Sequence, residues 1–469
     1  MSDQAYSPRF LEGAIYATQQ RRYLMDIGFL VSIMVMMLSL IPAPLAVPAL
    51  SDLGHPATLM GLLLFGIWVL SRMHPRLVTR GPQPMRWIIG FFFTTILASY
   101  AAGLMRGMPT LEDNGAVRFI IGTLAFFGAV LAVADGVPRK ERVEGLIRVM
   151  LVGGSIIGFI GIMQSVMQFD ITAYIQIPGL VYHGNLNGLE ARGAGHLRVN
   201  GTTGHYIEFS TVMAMLLPFA VHMGRFSPTR AMRQWSAIAG AIMFLALPMA
   251  LSRTGIVALA VAMLVMIPAW NWRLRFNLVV PTVVLMIMLI FAMPGLLGTI
   301  LGLFQGWEDD ASVQGRAEDW DLIEEQGWMD GHWLFGRGHG TFIPTEYTWL
   351  DSQWLQSLVG GGVIGVVALA LVHLGAITLA AIAYKRSTSL ADRHLCACLI
   401  SVQMLAIAVG FTFDSMGFRT YAMFLGVLTG AAAVMWRLTR PTRAPELPPH
   451  PTVPLPPLFT PRPKPRVSA

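Results

Sequence analysis

The sequence predicts an all-α polytopic membrane protein with about 12 transmembrane helices, both termini cytoplasmic, and a large, partly helical outer loop. Three observations predict it. Of 469 residues, 54% are hydrophobic and only 13% charged, roughly half the charge of an ordinary soluble chain. Several apolar runs approach or exceed the roughly 20 residues that a helix needs to cross a bilayer. The basic residues, finally, fall on alternate sides of those runs.

In order along the chain, apolar runs lie near 24–46, 57–71, 86–104, 116–134, 146–168 and 206–222, then 236–251, 253–269, 277–297, 355–384, 391–413 and 415–437. The stretch 236–269 reads as two short spans, because the polar Ser252-Arg253-Thr254-Gly255 interrupts it. The first run follows Arg21 and Arg22 as a signal peptide would. It is too long for one and too soon followed by another span, so it reads as an uncleaved helix. The chain divides into a short cytoplasmic N-terminus (1–23), a membrane domain (24–437) and a tail (438–469).

Twelve spans put both termini on one side. The segments on that side hold 25 of the 33 Lys and Arg residues. The other side holds Arg106, Arg118, Arg192, Arg198, Arg253, Arg316, Arg337 and Arg419. The positive-inside rule makes the richer side cytoplasmic. The net charge of +7 therefore reports topology, and nucleic acid is not an expected partner. Cys396 and Cys398 are two apart on a helix and face away from each other, which argues against a disulfide or a metal site. Residues 441–469 contain 11 prolines and read as a disordered, polyproline-rich cytoplasmic extension.

Two outer loops, 169–205 and 298–354, are longer than connection requires. The second carries six of the 12 tryptophans and eleven acidic residues between Glu308 and Asp351. Disordered segments are poor in Trp, so this loop is expected to fold.

Four segments carry candidate chemistry. In "HLRVNGTTGHYIEF" (196–209) Arg198 precedes a Gly-rich turn, and His205 and Glu208 share one face of a helix entrance. A guanidinium beside helix N-terminal amides suits a phosphate; the bland reading is an interfacial anchor with Glu208 complementing the helix dipole. In "ALSRTGIVAL" (250–259) Arg253 sits in a short turn at membrane depth, which is costly without an anion unless the side chain snorkels to the headgroups. In 312–342 a helix carrying Arg316, Trp320 and Ile323 leads to Gly336-Arg337-Gly338-His339-Gly340, whose glycines permit close backbone approach to a ligand. The Trp residues there suit sugar stacking or an interfacial belt. Last, "TEYTWLDSQWLQSLVGGGVIG" (345–365) places Asp351 and Ser352 at the mouth of a helix, flanked by Trp349 and Trp354. Asp351 as an N-cap, with Gly361 and Gly365 as a small-residue packing face, is the plain reading of that stretch.

In this order the four segments resemble the O-antigen ligase/polymerase superfamily of bacterial membrane glycosyltransferases, in detail over roughly 190–370. The motifs concerned are Arg198 to Phe209, Ser252 to Gly255, Gly315-Arg316 with Gly336 to Gly340, and Asp351-Ser352 followed by Trp354-Leu355 and Gly362 to Gly365. Lipid A-core ligases of this superfamily carry a functional His where this chain has Asp351, and the Asp form resembles the polysaccharide polymerases more.

The resemblance implies periplasmic loops at 169–205 and 298–354 and an active site at the periplasmic face of the inner membrane. It implies transfer of a glycan from a polyprenyl diphosphate to an acceptor sugar hydroxyl, with lipid-linked donor and acceptor and no cofactor or metal. Arg198, Arg253 and Arg316 would neutralise the leaving diphosphate, and Asp351 would take the acceptor proton. Ser352 and His205 would support them; Glu208, Arg337, His339, Trp320, Trp349 and Trp354 would contact substrate. A chain-length regulator or flippase of the same pathway is an implied partner. A ligase for lipid A-core or protein is the alternative. A secondary transporter is a further one, disfavoured because ionisable residues gather at the outer ends of spans rather than at the midplane.

Overall fold

Helix-breaking residues set the limits of most elements. A computed structural model describes residues 26–73, 81–183, 189–192, 195–303, 305 and 311–440; the side chains of Asp52 and of 311–317 lie outside the described set. The expected N-terminus 1–23, the tail 441–469, Trp307 and the acidic run 308–310 also lie outside it.

The described chain is about 75% helical. Its helices are α1 (Ile27–Leu40), α2 (Pro56–Met73), α3 (Pro84–Arg106), α4 (Thr110–Gly136), α5 (Lys140–Met167), α6 (Tyr206–Phe226) and α7 (Arg230–Met249). The remainder are α8 (Arg253–Met266), α9 (Trp272–Ala292), α10 (Leu296–Gly302), α11 (Ala311–Glu325), α12 (Gln353–Arg386), α13 (Leu390–Val409) and α14 (Arg419–Leu438). Every apolar run expected from the sequence falls on one of these helices. Among the described residues nine helices are long and apolar enough to cross a membrane, and α1 and α8 are shorter apolar ones. The first expected run, 24–46, is shorter than its hydropathy suggests. Its helix stops at Leu40, because Pro42 and Pro44 cannot supply helical N–H groups. Leu45–Ala46 (β1) then pairs with Val181–Tyr182 (β2).

The interior is built on α6 and α14, which are buried along most of their length, whereas α9 is exposed along most of its length and lies at the periphery. Small residues let the helices approach. A Cβ at Gly128 of α4 would sit 2.0 Å from the Gly61 carbonyl oxygen of α2, and one at Gly255 of α8 would sit 2.3 Å from Ser210 Cβ of α6. Membrane helices pack closely through such residues.

The long loop after α9 folds, as its tryptophan content predicts. α10 and α11 are helical, and Ile323, Met329, Leu350 and Val359 form a small core with Trp328 and Phe342 packed against it. The glycines of the loop do a different task from the one expected. α12 is broken at Gly362, where φ is +64°, and the loop docks into the break. The Arg337 and Gly338 amides donate to the Val359 and Gly360 carbonyls at 2.9 Å, and the Val363 amide donates to the Trp333 carbonyl at 2.9 Å. Broken helices are tolerated at membrane depth where protein satisfies the freed backbone groups. Gly336, at φ +68°, has no room for a Cβ, which would lie 2.3 Å from the Gly360 oxygen. The Gly-rich motif therefore lets backbone approach backbone, not ligand. Gly361 and Gly365 likewise leave space for the His339 imidazole instead of a neighbouring helix.

Candidate active site

Three helix starts and two turns bring distant segments to one cavity of about 800 Å³. Its walls include Arg192, Arg198, His205, Ser252, Arg253, Trp349, Asp351, Thr412 and Asp414. Four stretches far apart in the chain thus contribute charge to a single space.

Arg198 follows a two-stranded hairpin, Ala191–Arg192 (β3) with His196–Leu197 (β4). Its guanidinium lies 4.0 Å from the Tyr206 ring centroid and 3.2 Å from a Glu190 carboxylate oxygen. Its Nε is buried without a partner. Stacking on one face and a single carboxylate on one nitrogen leave donors for another anion. His205 caps α6 by accepting the Ile207 N–H at Nδ1 (3.3 Å). Burial lowers its pKa to about 4, and Arg198 pushes the same way against Glu190, so the ring is neutral at physiological pH.

Arg253 is the first residue of α8. The turn before it is strained: Leu251 has φ +48°, a left-handed conformation that side-chain-bearing residues seldom adopt. Such strain clusters at functional sites because the surrounding structure must hold it. Arg253 donates to the Leu303 carbonyl at 3.3 Å.

Asp351 is exposed and lines the cavity. It is not the cap of α12. Ser352 is, its hydroxyl accepting from the Leu355 N–H (3.3 Å) while donating to the Gly410 carbonyl (3.2 Å). One residue of offset releases the carboxylate toward the cavity and commits the hydroxyl to the protein. Asp414 lines the same cavity and accepts from Gln356 Nε2 at 3.4 Å. Burial first, and then the neighbouring Asp351 charge, push its carboxyl up to about 7. Asp414 is not among the residues that the sequence motifs single out. Its one signal is an acid between two apolar runs, a position that turns commonly occupy.

The other expected site residues are placed elsewhere. Glu208 is buried and accepts from the Gly204 (2.8 Å), Thr420 (2.7 Å) and Tyr421 (3.1 Å) amides. It closes the N-terminus of α14, where backbone N–H groups lack helical partners. Arg337 donates to the Tyr347 hydroxyl at 3.2 Å, and Tyr347 in turn donates to Glu112, which also pairs with Arg106. That chain ties the loop to the α3–α4 hairpin. His339 is stacked on Phe119, 4.8 Å between centroids. Trp354 donates to the Ile407 carbonyl at 3.0 Å, Trp320 is exposed on α11, and Trp349 is 73% exposed at the cavity. Arg316 lies on α11, with its side chain outside the described residues. Among the described residues, no three of His, Cys, Asp and Glu converge as a metal site.

Fold and site together define a multi-pass helical membrane protein with guanidinium and carboxylate groups lining one cavity at helix ends. Residues 238–370 match the family model described as O-Antigen ligase, which supports the resemblance of that stretch to the O-antigen ligase/polymerase superfamily. The match supports membrane glycosyl transfer of the ligase/polymerase type. It spans Arg253, Arg316, Arg337, His339 and Asp351, and Arg198 and His205 precede it. A comparison with curated proteins gives no match.

Proposed function

We propose that this protein polymerises polyprenyl-diphosphate-linked oligosaccharide repeat units at the periplasmic face of the inner membrane, with twelve spans and both termini cytoplasmic. The observation that carries the reading is the convergence of Arg198, Arg253 and Asp351 on one cavity. These residues come from three separate motifs, and each supplies a group that the reaction needs.

The donor's diphosphate lies against Arg198 and Arg253, with Arg316 as a further cation from α11. An acceptor hydroxyl attacks the anomeric carbon from the face opposite the diphosphate. The new glycosidic C–O bond forms as the bond to the diphosphate breaks, which inverts the configuration. The diphosphate leaves with the electron pair, and its developing charge is met by the guanidinium groups. Removing one such preorganised donor costs roughly 100- to 1,000-fold in other enzymes. Asp351 accepts the acceptor proton, within the usual reach of general bases in rate. Neutral His205 orients the site without adding charge, and exposed Trp349 offers a ring face to sugar.

Loss of the gene should leave single repeat units on the final acceptor, read as a short band on glycan gels. Long polymer retained on the polyprenyl carrier would instead identify a ligase, the second reading, which uses the same site with lipid A-core or a protein as acceptor. In the polymerase reading Asp351→Asn should give the same single-repeat profile with normal membrane levels of protein. Wild-type chain lengths from that variant would overturn the role of Asp351.

A further inference from the structure

A second cavity lies on the other side of the turn that carries Asp414. It measures about 280 Å³ and is walled by α4, α12, α14 and the His339 loop. Its polar wall includes Arg118, Arg419, Gln356 and Ser357, and its apolar wall includes Phe126 and Leu369. The proposed transfer in the first cavity uses none of these residues.

Arg118 is the unusual group. It is exposed, and among the described residues it has no hydrogen-bond or ion-pair partner. The neighbouring arginines are all engaged by protein: Arg106 and Arg337 at this end of α3 and in the docked loop, and Arg419, which shares the cavity, through the Ala43 carbonyl at 3.0 Å. α4 has 27 residues, about 40 Å of helix, against roughly 30 Å of hydrocarbon. Its first turn, with Glu112 and Asp113, therefore stands above the apolar layer. Arg118, about 12 Å along the axis from Thr110, falls near the headgroup boundary. A guanidinium there is stable when an anion meets it, and the phosphates of lipids lie at that depth.

The cavity also has a direct link to the first one. Gln356 lines it and donates to Asp414, which lines the other. Within the same short turn, Phe413 and Phe418 face the first cavity and Met416 and Gly417 the second. Buried His339 lines the second as well, with an unpartnered Nε2.

We propose that this second cavity binds the phosphate head of a second lipid-linked substrate, with Arg118 as its cation and the apolar wall against its first isoprenyl units. This rests on the glycosyl-transfer reading. It adds where the second lipid phosphate is held: one short turn of chain from the first, with the Gln356–Asp414 pair linking the two cavities.

The test uses the full chain in phosphatidylcholine nanodiscs, titrated with undecaprenyl diphosphate and read by native mass spectrometry. The wild type should bind two equivalents. Arg118→Gln and Arg253→Gln should each bind one, the double variant none, and Arg118→Lys two. Thr123→Leu, which fills the cavity and leaves the charge, should also bind one. A tenfold excess of phosphatidylglycerol should not displace the second equivalent; displacement would show an ordinary headgroup contact and overturn the proposal. Two equivalents retained by both Arg118→Gln and Thr123→Leu, with Arg253→Gln still losing one, would overturn the second site and leave the proposed function standing. No binding by the wild type would overturn both.

Discussion

The cavity around Arg198 and the docked loop around Arg337 look alike as sequence and differ as structure. Each has an arginine near glycines, a histidine and an aromatic residue. In the loop most polar groups are consumed by the protein: Arg337 by Tyr347, and the Arg337 and Gly338 amides by the break in α12; His339 Nε2, which faces the second cavity, is the exception. At the cavity they are only partly used, since Arg198 keeps a buried, unpartnered Nε and Asp351 caps nothing. A buried donor left over is costly, and a site for a charged substrate is a physical reason to keep one. Function is expected where polar capacity remains unspent; structure is expected where it is fully satisfied.

That contrast can be broken by substitution. The largest effect expected is at the cavity: Arg198→Ala should lower chain extension by at least about 100-fold, in proportion to a lost transition-state donor. Membrane levels and the thermal midpoint should stay near wild type. An equal loss of both would place Arg198 with the structural residues.

Gly336→Val should do the reverse. A side chain at φ +68° whose Cβ meets the Gly360 oxygen at 2.3 Å costs at least about 2 kcal/mol. The measurement is a drop in midpoint in a thermal-shift assay, with folded protein retaining activity per molecule. Glu208→Gln belongs with it, because an amide can accept with only one oxygen where the carboxylate serves three backbone N–H groups.

A smaller and more diagnostic effect comes from pH. Asp414 is raised from 3.8 to about 7 by burial and by Asp351. The folded state therefore holds this proton more tightly than the unfolded chain does. Its contribution to stability is present below about pH 4 and is lost as pH rises through about 7. Asp414→Asn should flatten that part of the stability profile. Asp351→Asn removes the like charge, so the Asp414 transition should move to lower pH, seen as the protonated-carboxyl infrared band disappearing earlier. An unmoved band would separate the two carboxylates electrostatically.

The smallest effect expected is Ser352→Ala, about 1 kcal/mol from a lost N-cap with little change in chain length. A large loss of transfer at unchanged stability would return Ser352 to the reacting groups.

Much of the fold was legible in the sequence. Each apolar run is on a helix, because one-dimensional hydropathy reports directly on what the bilayer permits. The interruption at Ser252 to Gly255 marked a true helix boundary. The Trp-rich loop folds around Trp328 and Phe342 as its composition implied. Arg198, Arg253, His205, Trp349 and Asp351 were all legible as candidates and share one cavity. Glu208 and Arg337 were equally visible and turned inward, since sequence shows which groups can bond and not which partners are within reach.

The sequence by itself determined the helical membrane class, the order of the motifs and the chemical kinds of group available. Only the tertiary structure decided their use. It moved the cap of α12 from Asp351 to Ser352, brought Asp414 into the cavity of Asp351, used the glycines for a helix break and left Arg118 beside a second cavity. The physical reason is that hydropathy and propensity act between neighbours along the chain. Whether a charge is satisfied depends on partners more than 200 residues away, as between Glu208 and the start of α14, 212 residues on.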